Sequence, residues 1–418
     1  MGGASAVKIL LAIAAISCQA ETLPNYPDLP PPALVKAALL EHPAVLAAQA
    51  GVRAGEAGRE RLIAGVHETN LRFGAQQRNE RNDPNQRYNE WDVGLERALR
   101  LPGKAGMDSR LGDAGLEQAH TVYGDALHES GRALLKAWFA WGRENAAARQ
   151  WREQVAALQE QSTIVGKRVR AGDAPKLEAG LAEAALAGAE SALHQAALRE
   201  QVAANELTQR FAGIAPPASL PLSLPAALER GLDYWREEIL KHNHELAVAR
   251  NEAKIARMQG ERSEAERLPD PSLGLRAASE RGGADHIVGV SISIPFSGAA
   301  RSARAAETLA LADAAVQREA AALRKTQLEA ANTFAAAQAA YRGWQSAALA
   351  ADKMRANAEL MTRAYSLGEM SLSEVLMARR LSLESGLTAT LAQLEAAESR
   401  YRLLLDAHQL WPLDEHEE

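Results

Sequence analysis

Proline is absent from very long parts of this chain, and this distribution constrains the fold more than any other feature. No proline lies between Pro102 and Pro175, from Lys176 to Ala215, or from Phe296 to Trp411. These stretches are rich in Ala, Leu, Glu, Gln, Arg and Lys, the residues that lose least free energy on entering a helix. At about 1.5 Å per residue, an uninterrupted helix of about 68 residues would reach roughly 100 Å. The sequence therefore predicts helices much longer than a compact domain can hold.

The second half of the chain repeats the first at a nearly constant offset. Gly94 and Gly289 lie 195 positions apart, as do Gly103 and Gly298. Such self-similarity indicates a tandem repeat. The expected segments are a signal peptide (1–20), a Pro-rich N-terminal segment (21–32), a first repeat (33–215), a linker (216–225), a second repeat (226–405) and a C-terminal tail (406–418).

The start of the chain has the pattern of a secretory signal peptide. An apolar run from Ile9 to Ile16 follows Lys8 and ends in small and polar residues. The run is too short to cross a bilayer as a helix, which takes about 20 residues. Cleavage after Ala20 would leave a soluble N-terminus, whereas cleavage before Cys18 would expose that residue for lipidation, and the sequence permits both. Cys18 is the only cysteine, so no internal disulfide is expected in the mature chain.

Composition and motifs exclude several classes of function. The formal charge is -6 and the two signs are interspersed, so the chain has no basic face that would follow nucleic-acid phosphates. No glycine-rich phosphate loop, nucleophile elbow or zinc-hydrolase motif is present. We therefore expect neither an enzyme nor a resident cofactor.

Each repeat should begin with a helix, from about Ala33 to Ile63 and from about Ala226 to Arg267, followed by a β-hairpin at 66–99 or 271–296. The hairpins are predicted from alternating apolar and polar residues, which is the period of a strand with two unlike faces. The clearest strand has Val288, Val290, Ile292 and Ile294 on one face and Gly289, Ser291 and Ser293 on the other.

Four strands per chain cannot close a membrane barrel, because the smallest outer-membrane barrels need about eight. Two copies would supply eight strands and three would supply twelve. In such a barrel the apolar side chains face lipid and the polar ones line a wet interior. The same alternation is also typical of a soluble hairpin that packs on helices. Charged residues on the polar face can also form ion pairs with one another across strands instead of lining a lumen. The predicted lumen-facing residues are Arg72, Asp92, Glu96 and Arg276.

Aromatic and small residues within the long helices recur at steps of three and four. Trp138 and Trp141 share such a row with Leu127, Gly131 and Leu134. This spacing is typical of the contact row between coiled helices, where small residues allow close approach. We interpret the aromatic residues as part of the core between the helices and not as a ligand-binding site.

Three phrases resemble the TolC-type outer membrane efflux family, and the tandem arrangement extends the resemblance to nearly the whole mature chain. They are LPDPSL at 268–273, VGVSISIPF at 288–296 and AYSLGEMSLSEVL at 364–376. The Glu41-His42-Pro43 phrase and the link from Arg100 to Lys104 resemble the heavy-metal, CzcC-like branch of that family.

The resemblance implies a mainly α fold with a small β part: long α-helical coiled-coil hairpins plus four transmembrane strands per chain. A homotrimer would form a 12-stranded barrel in the outer membrane of a Gram-negative bacterium and an α-helical barrel in the periplasm. Family members are passive exit ducts for substrates delivered by an inner-membrane resistance-nodulation-division pump and a periplasmic adaptor. Heavy-metal cations are the first expected cargo and organic toxicants the second. A soluble or lipid-anchored periplasmic coiled-coil adaptor is the alternative class.

In that family the periplasmic tips are helix-turn-helix corners with an Arg or Tyr, then Gly, then an acidic residue six positions on. Glycine suits such a corner because the chain leaves the helix in a left-handed conformation. By resemblance, the tips that dock the adaptor carry Arg168, Gly172 and Glu178 at the first corner and Tyr365, Gly368 and Glu374 at the second.

The chain contains ten histidines, which raises the question of a metal site. His242 and His244 are two positions apart, a spacing that places side chains on different sides of a helix. His408 and His416 lie among carboxylates without the spacing of a metal-ligand pair. We expect all four on a solvated surface, with no metal site.

Overall fold

The computed structural model describes residues 26–79 and 87–411. The predicted signal peptide, Cys18, most of the first hairpin's turn and His416 lie outside the described residues. Within them, the helices are α1 (Pro32–Leu40), α2 (Pro43–Ala64), α3 (Lys104–Ala171), α4 (Lys176–Arg210), α5 (Leu232–His242), α6 (His244–Ala265), α7 (Ala299–Ser366) and α8 (Leu372–Asp406).

The long helices come in two pairs of equal length. Helices α3 and α7 both contain 68 residues, and helices α4 and α8 both contain 35. At 1.5 Å per residue the longer pair extends for about 100 Å. The molecule is therefore mainly α-helical and elongated.

The prediction of one unbroken helix before each hairpin is wrong. The first is interrupted after Leu40, because Pro43 cannot continue a helix from its N-terminal side and starts a new one as its first residue. The second begins only at Leu232 and is interrupted at Asn243, whose Oδ1 accepts a 2.7 Å hydrogen bond from Leu246 N. This bond is an N-cap, which favours a fresh helix start.

The two hairpins supply four strands, β1 (Thr69–Asn79), β2 (Arg87–Ala98), β3 (Ser272–Glu280) and β4 (Asp285–Ser293). These strands join into one antiparallel sheet in the order β1-β2-β3-β4. The pairing of β2 with β3 joins the two repeats through strands that are far apart in the sequence. The outer strands of this sheet, β1 and β4, each have a neighbour on one side only.

The main hydrophobic core lies partway along the long helices, away from both the sheet and the tips. Trp138 and Trp141 of α3 are buried there in one cluster with Tyr401 and Leu403 of α8. A smaller cluster near the tips contains Val165, among others. The expected role of the helix aromatics in core packing is confirmed at both tryptophans. None of the helices in the described residues is long and apolar enough to cross a membrane.

Candidate functional site

One face of the sheet is apolar and uncovered. The register places Leu71, Leu95, Leu275 and Val290 in a single row across all four strands. Leu71 is 73% exposed and Val290 is 69% exposed, and Val288 reaches 88%. A soluble hairpin packed on its own helices would bury these side chains. Their exposure leaves a large apolar surface in need of an apolar environment.

The opposite face carries the four charged residues predicted to line a lumen. Arg72 and Arg276 lie on either side of Gly94 in one row. Asp92 is directly opposite Gly74, and Glu96 is directly opposite Asn70 and Gly274. No two of the four charged residues are direct cross-strand partners, so the register leaves them on one surface without pairing them face to face.

Sequence reasoning missed an ionic cluster at the hairpin-turn end of this polar face. Arg78 contacts Glu90 at 3.1 Å and Glu280 at 3.2 Å, and so connects strands of both repeats. Gln76 Nε2 donates to Glu90 Oε2 at 2.8 Å. Arg78 and Glu90 belong to one predicted hairpin, but Glu280 comes from the other repeat, and no local pattern reveals that its strand joins the same sheet.

Both predicted corner glycines have the left-handed conformation. Gly172 has φ +82° and Gly368 has φ +81°. At the first corner Asp173 N donates to Arg168 O at 2.9 Å, and at the second Glu369 N donates to Ala364 O at 3.0 Å. These bonds across the end of each helix are those of a Schellman motif, which satisfies carbonyls that the helix leaves free. The two corners are therefore sharp and alike.

The two corners are joined by a polar network that uses three of the predicted tip residues. Arg168 Nη1 donates to the Tyr365 hydroxyl at 2.5 Å, and that hydroxyl donates to Glu178 Oε2 at 3.2 Å. Arg168 and Glu178 are 3.7 Å apart. Partial burial and the nearby Glu178 carboxylate raise the pKa of Tyr365. The phenol therefore stays protonated and able to donate near neutral pH.

Glu374 has a different local role. Its side chain accepts from Ser371 N at 2.9 Å, while Ser371 Oγ accepts from Glu374 N at 3.3 Å. This reciprocal pair is a capping box at the start of α8. Hydrogen bonds from the backbone and side chain of Ser371 lower the pKa of Glu374. Glu374 therefore forms the local cap of the corner and lies outside the Arg168–Tyr365–Glu178 network.

A buried ionic junction connects the sheet to the helices. Lys104 Nζ lies 2.8 Å from Asp270 Oδ1 and 3.2 Å from Glu266 Oε2, and its side chain is only 3% exposed. Asp270 also accepts from Leu101 N at 3.0 Å and contacts His67 Nε2 at 2.8 Å. Burial alone would raise the pKa of Asp270, but these hydrogen bonds, led by that from Lys104, lower it to about 2.

The junction explains two of the phrases singled out in the sequence. Lys104 ends the Arg100-to-Lys104 link, and Asp270 lies in LPDPSL. Each phrase thus supplies one partner of the same buried ion pair. Arg100 contacts Asp108 at 2.9 Å, and Arg262 contacts the other oxygen of Asp108 at 2.6 Å, which extends the network into α3 and α6.

The prediction that His242, His244 and His408 lie on a solvated surface is wrong. Their rings are half-buried. The rings of His244 and His408 meet that of His128, which is 4% exposed, and the ring of His242 meets that of His408. The error arises because residues far apart in sequence converge there. No group of three or more His, Cys, Asp or Glu side chains within 26–79 and 87–411 has an arrangement that could hold a metal ion.

Comparisons with known proteins bear on the fold. No protein-family model matches the sequence, and no curated protein matches it significantly. Solved structures do match. A membrane protein from Pseudomonas aeruginosa is 17% identical with a TM-score of 0.78, and the match covers 94% of this chain and 93% of that one.

Two further matches are outer membrane channels. CmeC from Campylobacter jejuni is 14% identical with a TM-score of 0.69, covering 92% of this chain and 86% of that one. MtrE from Neisseria gonorrhoeae, in its open state, is 19% identical with a TM-score of 0.71, covering 91% and 89%. At these identities the matches establish the fold. The chain has the fold of outer membrane channels, which is the fold class that the resemblance in the sequence implies.

Proposed function

We propose that this chain is a subunit of an outer-membrane channel of the TolC type, the exit duct of a tripartite efflux system in a Gram-negative bacterium. The observation that carries the proposal is the exposed apolar face of the sheet, on a chain whose fold matches outer membrane channels over about nine-tenths of its length. Hydrocarbon is the environment that such a face requires. A soluble adaptor would leave the same face in water, where it favours aggregation.

Closure of the barrel requires more than one copy. Strands β1 and β4 are the free edges of the sheet, and an unpaired edge is not tolerated in lipid because its backbone groups would have no partner. Joining β4 of one copy to β1 of the next, three times, gives a closed cylinder of twelve strands. The polar face with Arg72, Asp92, Glu96 and Arg276 would then line the water-filled interior.

The helical part would extend into the periplasm and end at the two corners. Arg168, Gly172, Glu178, Tyr365, Gly368 and Glu374 form the surface that we propose for the periplasmic adaptor, behind which an inner-membrane resistance-nodulation-division pump supplies the cargo. The duct itself is passive and performs no catalysis. Heavy-metal cations are the proposed cargo, supported by the resemblance of two short phrases to the CzcC-like branch. Secretion of the chain would include cleavage of its signal peptide, either after Ala20 or before Cys18, which would then be the lipidated residue.

Membrane insertion is tested by placing one charge on each face of β4. Arg at the lipid face of a barrel midplane costs about 2–4 kcal/mol, whereas a lumen-facing Arg is tolerated. Val290→Arg should therefore deplete the protein from urea-washed outer membranes, and the matched control Ser291→Arg should stay there at the wild-type level. Release of the wild-type protein by the wash, or equal retention of both variants, would contradict the proposal.

A further inference from the structure

Residues 26–31, which precede α1, are docked in the main core, far from the sheet, and we call them the docked segment. Trp138 Nε1 donates to the backbone oxygen of Asp28 at 2.8 Å, and the Tyr401 hydroxyl donates to Asp28 Oδ1 at 2.6 Å. The ring centroids of Tyr26 and Tyr401 lie 4.9 Å apart, and Asp28 is fully buried. The position of Trp138 along α3 therefore sets the distance from the docked segment to the sheet.

Helix α3 measures this distance. Lys104 is its first residue and lies in the buried ionic junction with the strands, and Trp138 is 34 positions further along the same helix (138 − 104). At 1.5 Å per residue, the two residues are separated by about 51 Å along the helix. A tilt of about 20°, as in coiled helices, shortens this to about 48 Å along the length of the molecule.

Contacts between α2 and α3 show that α3 does not turn back towards the sheet over this stretch. Arg59 Nε lies 2.5 Å from Asp113 Oδ1, and His42 Nδ1 lies 3.3 Å from Ser130 Oγ. The two contacts are 17 positions apart on each side (59 − 42 and 130 − 113). Equal counts mean that the two helices run side by side in opposite directions. Trp138 lies further still from the sheet than Ser130.

In the orientation of the proposed function, the hydrocarbon lies on the strand side of Lys104. The apolar face of the sheet extends to Leu99, which is exposed and continues the ladder through a 2.8 Å hydrogen bond from its N to Pro271 O. The headgroup layer of one leaflet adds about 6 Å next to the hydrocarbon. A lipid anchored in the membrane therefore comes no nearer to the level of Trp138 than about 42 Å.

The chain between Cys18 and the docked segment is shorter than this distance. Cys18 is eight positions before Tyr26 (26 − 18). A fully extended chain advances at most about 3.6 Å per residue, so eight residues reach at most about 29 Å. This limit is set by covalent geometry and holds for every arrangement of those residues. While Tyr26 is docked, a lipid on Cys18 stops about 13 Å short of the outer membrane.

From this distance we infer that the signal peptide is removed after Ala20, so that Cys18 leaves with it and the mature chain begins at Glu21. The inference rests on the proposed function, because it takes the apolar face of the sheet as the level of the membrane. Hydrolysis of the peptide bond between Ala20 and Glu21 consumes one water and gives a carboxylate and a free amine. Cys18 and Ala20 are then the third and first residues before the cut, where small residues are required.

Lipidation would use the other cut, before Cys18, and would place acyl chains on its sulfur that must insert into the membrane. With Tyr26 docked, those chains would stay in water. To reach the membrane, the docked segment would have to leave the core. That would break both hydrogen bonds of Asp28 and expose Leu29, which is 7% exposed in its docked position. A lipid on Cys18 and the docked segment therefore exclude each other.

The intact mass of the protein purified from urea-washed outer membranes tests the inference directly. The mass should be that of residues 21–418, and the peptide that begins at Glu21 should carry no acyl group. Cys18→Ser should give the same mass and the same amount of protein in the membrane. A diacylglyceryl group on Cys18 of the inserted wild type overturns the inference. Release by the wash of a protein that begins at Glu21 would contradict the proposed function instead, so the two failures are distinguishable.

A forced lipid anchor tests the distance itself. Replacing residues 1–17 with the signal peptide of a lipoprotein attaches a lipid to Cys18, which the mass verifies. In the inserted fraction, hydrogen exchange of the amides in 28–40 should become at least about tenfold faster than in the wild type. Adding 20 Gly and Ser residues after Glu21 extends the reach to about 100 Å and should restore wild-type exchange. Wild-type exchange in the inserted, lipidated protein without the spacer would overturn the inference.

Discussion

The buried pair of Lys104 and Asp270 gives the sharpest quantitative prediction. Asp270→Asn keeps the shape of the side chain but removes the charge that balances Lys104, whose side chain is 3% exposed. The pKa of Asp270 is lowered from 3.8 to about 2, which corresponds to about 2.5 kcal/mol of favourable interaction. Breaking one side of a buried pair costs about 3–5 kcal/mol in general. Because Glu266 still contacts Lys104 at 3.2 Å, we expect a loss of about 2–3 kcal/mol.

Urea unfolding of the purified protein, followed by circular dichroism, measures this loss. The matched control is Asp113→Asn, which removes an exposed carboxylate paired with Arg59 and should leave the free energy of unfolding almost unchanged. The advantage of the wild type over Asp270→Asn should be complete above about pH 5 and disappear as the pH falls through 3.8 towards 2, since the lowered pKa makes the folded carboxylate the weaker base.

A double-mutant cycle with Lys104→Met separates the pair from its surroundings. The double variant should be more stable than the sum of the single losses implies, by at least about 1 kcal/mol, because neither partner is then left as an uncompensated buried charge. Strictly additive losses, or an Asp270→Asn variant as stable as Asp113→Asn, would refute the reasoning about this junction.

Two further predictions concern the tips and the core. Gly172→Leu combined with Gly368→Leu should leave membrane insertion intact and lower the tolerance of cells to the exported toxicant, because a side chain at a residue with positive φ distorts each corner. The control is Gly180→Leu, at a position of α4 where an added Cβ meets no other atom. Normal tolerance in the double variant would argue against docking at the corners. Tyr401→Phe removes a 2.6 Å hydrogen bond to the buried carboxylate of Asp28 and should cost about 1–3 kcal/mol. Limited proteolysis should then cut the N-terminal segment sooner, and an unchanged cleavage rate would show that this bond does not fix it.

The sequence predicts features that depend on local spacing. Long helices follow from the absence of proline, and the two faces of β4 follow from the alternation of Val290 with Ser291. The left-handed conformation at Gly172 also depends on a local signal, a glycine where one helix ends and the next begins. In each case the physical cause acts within a few residues, so the pattern and the structure agree.

Features that depend on distant residues were missed. His128 and His408 are 280 positions apart, and nothing near either one indicates that their rings meet. Lys104 was noted as part of a phrase and not as the partner of Asp270, because the two residues of a buried ion pair have no regular spacing in the sequence. The interruptions near Pro43 and Asn243 had local signals, a proline and a capping residue, which the uniform helical composition around them obscured.

The central claim is that the exposed apolar face of the sheet faces lipid hydrocarbon and the opposite face lines water. Nitroxide labels at Val290→Cys and Ser291→Cys, in the full-length protein reconstituted in vesicles, test it on adjacent residues of one strand. The label at 290 should be relaxed mainly by oxygen, which partitions into lipid, and the label at 291 mainly by a water-soluble nickel chelate. Equal accessibility to the chelate at both positions, or a label at 290 shielded from both reagents, would contradict the account.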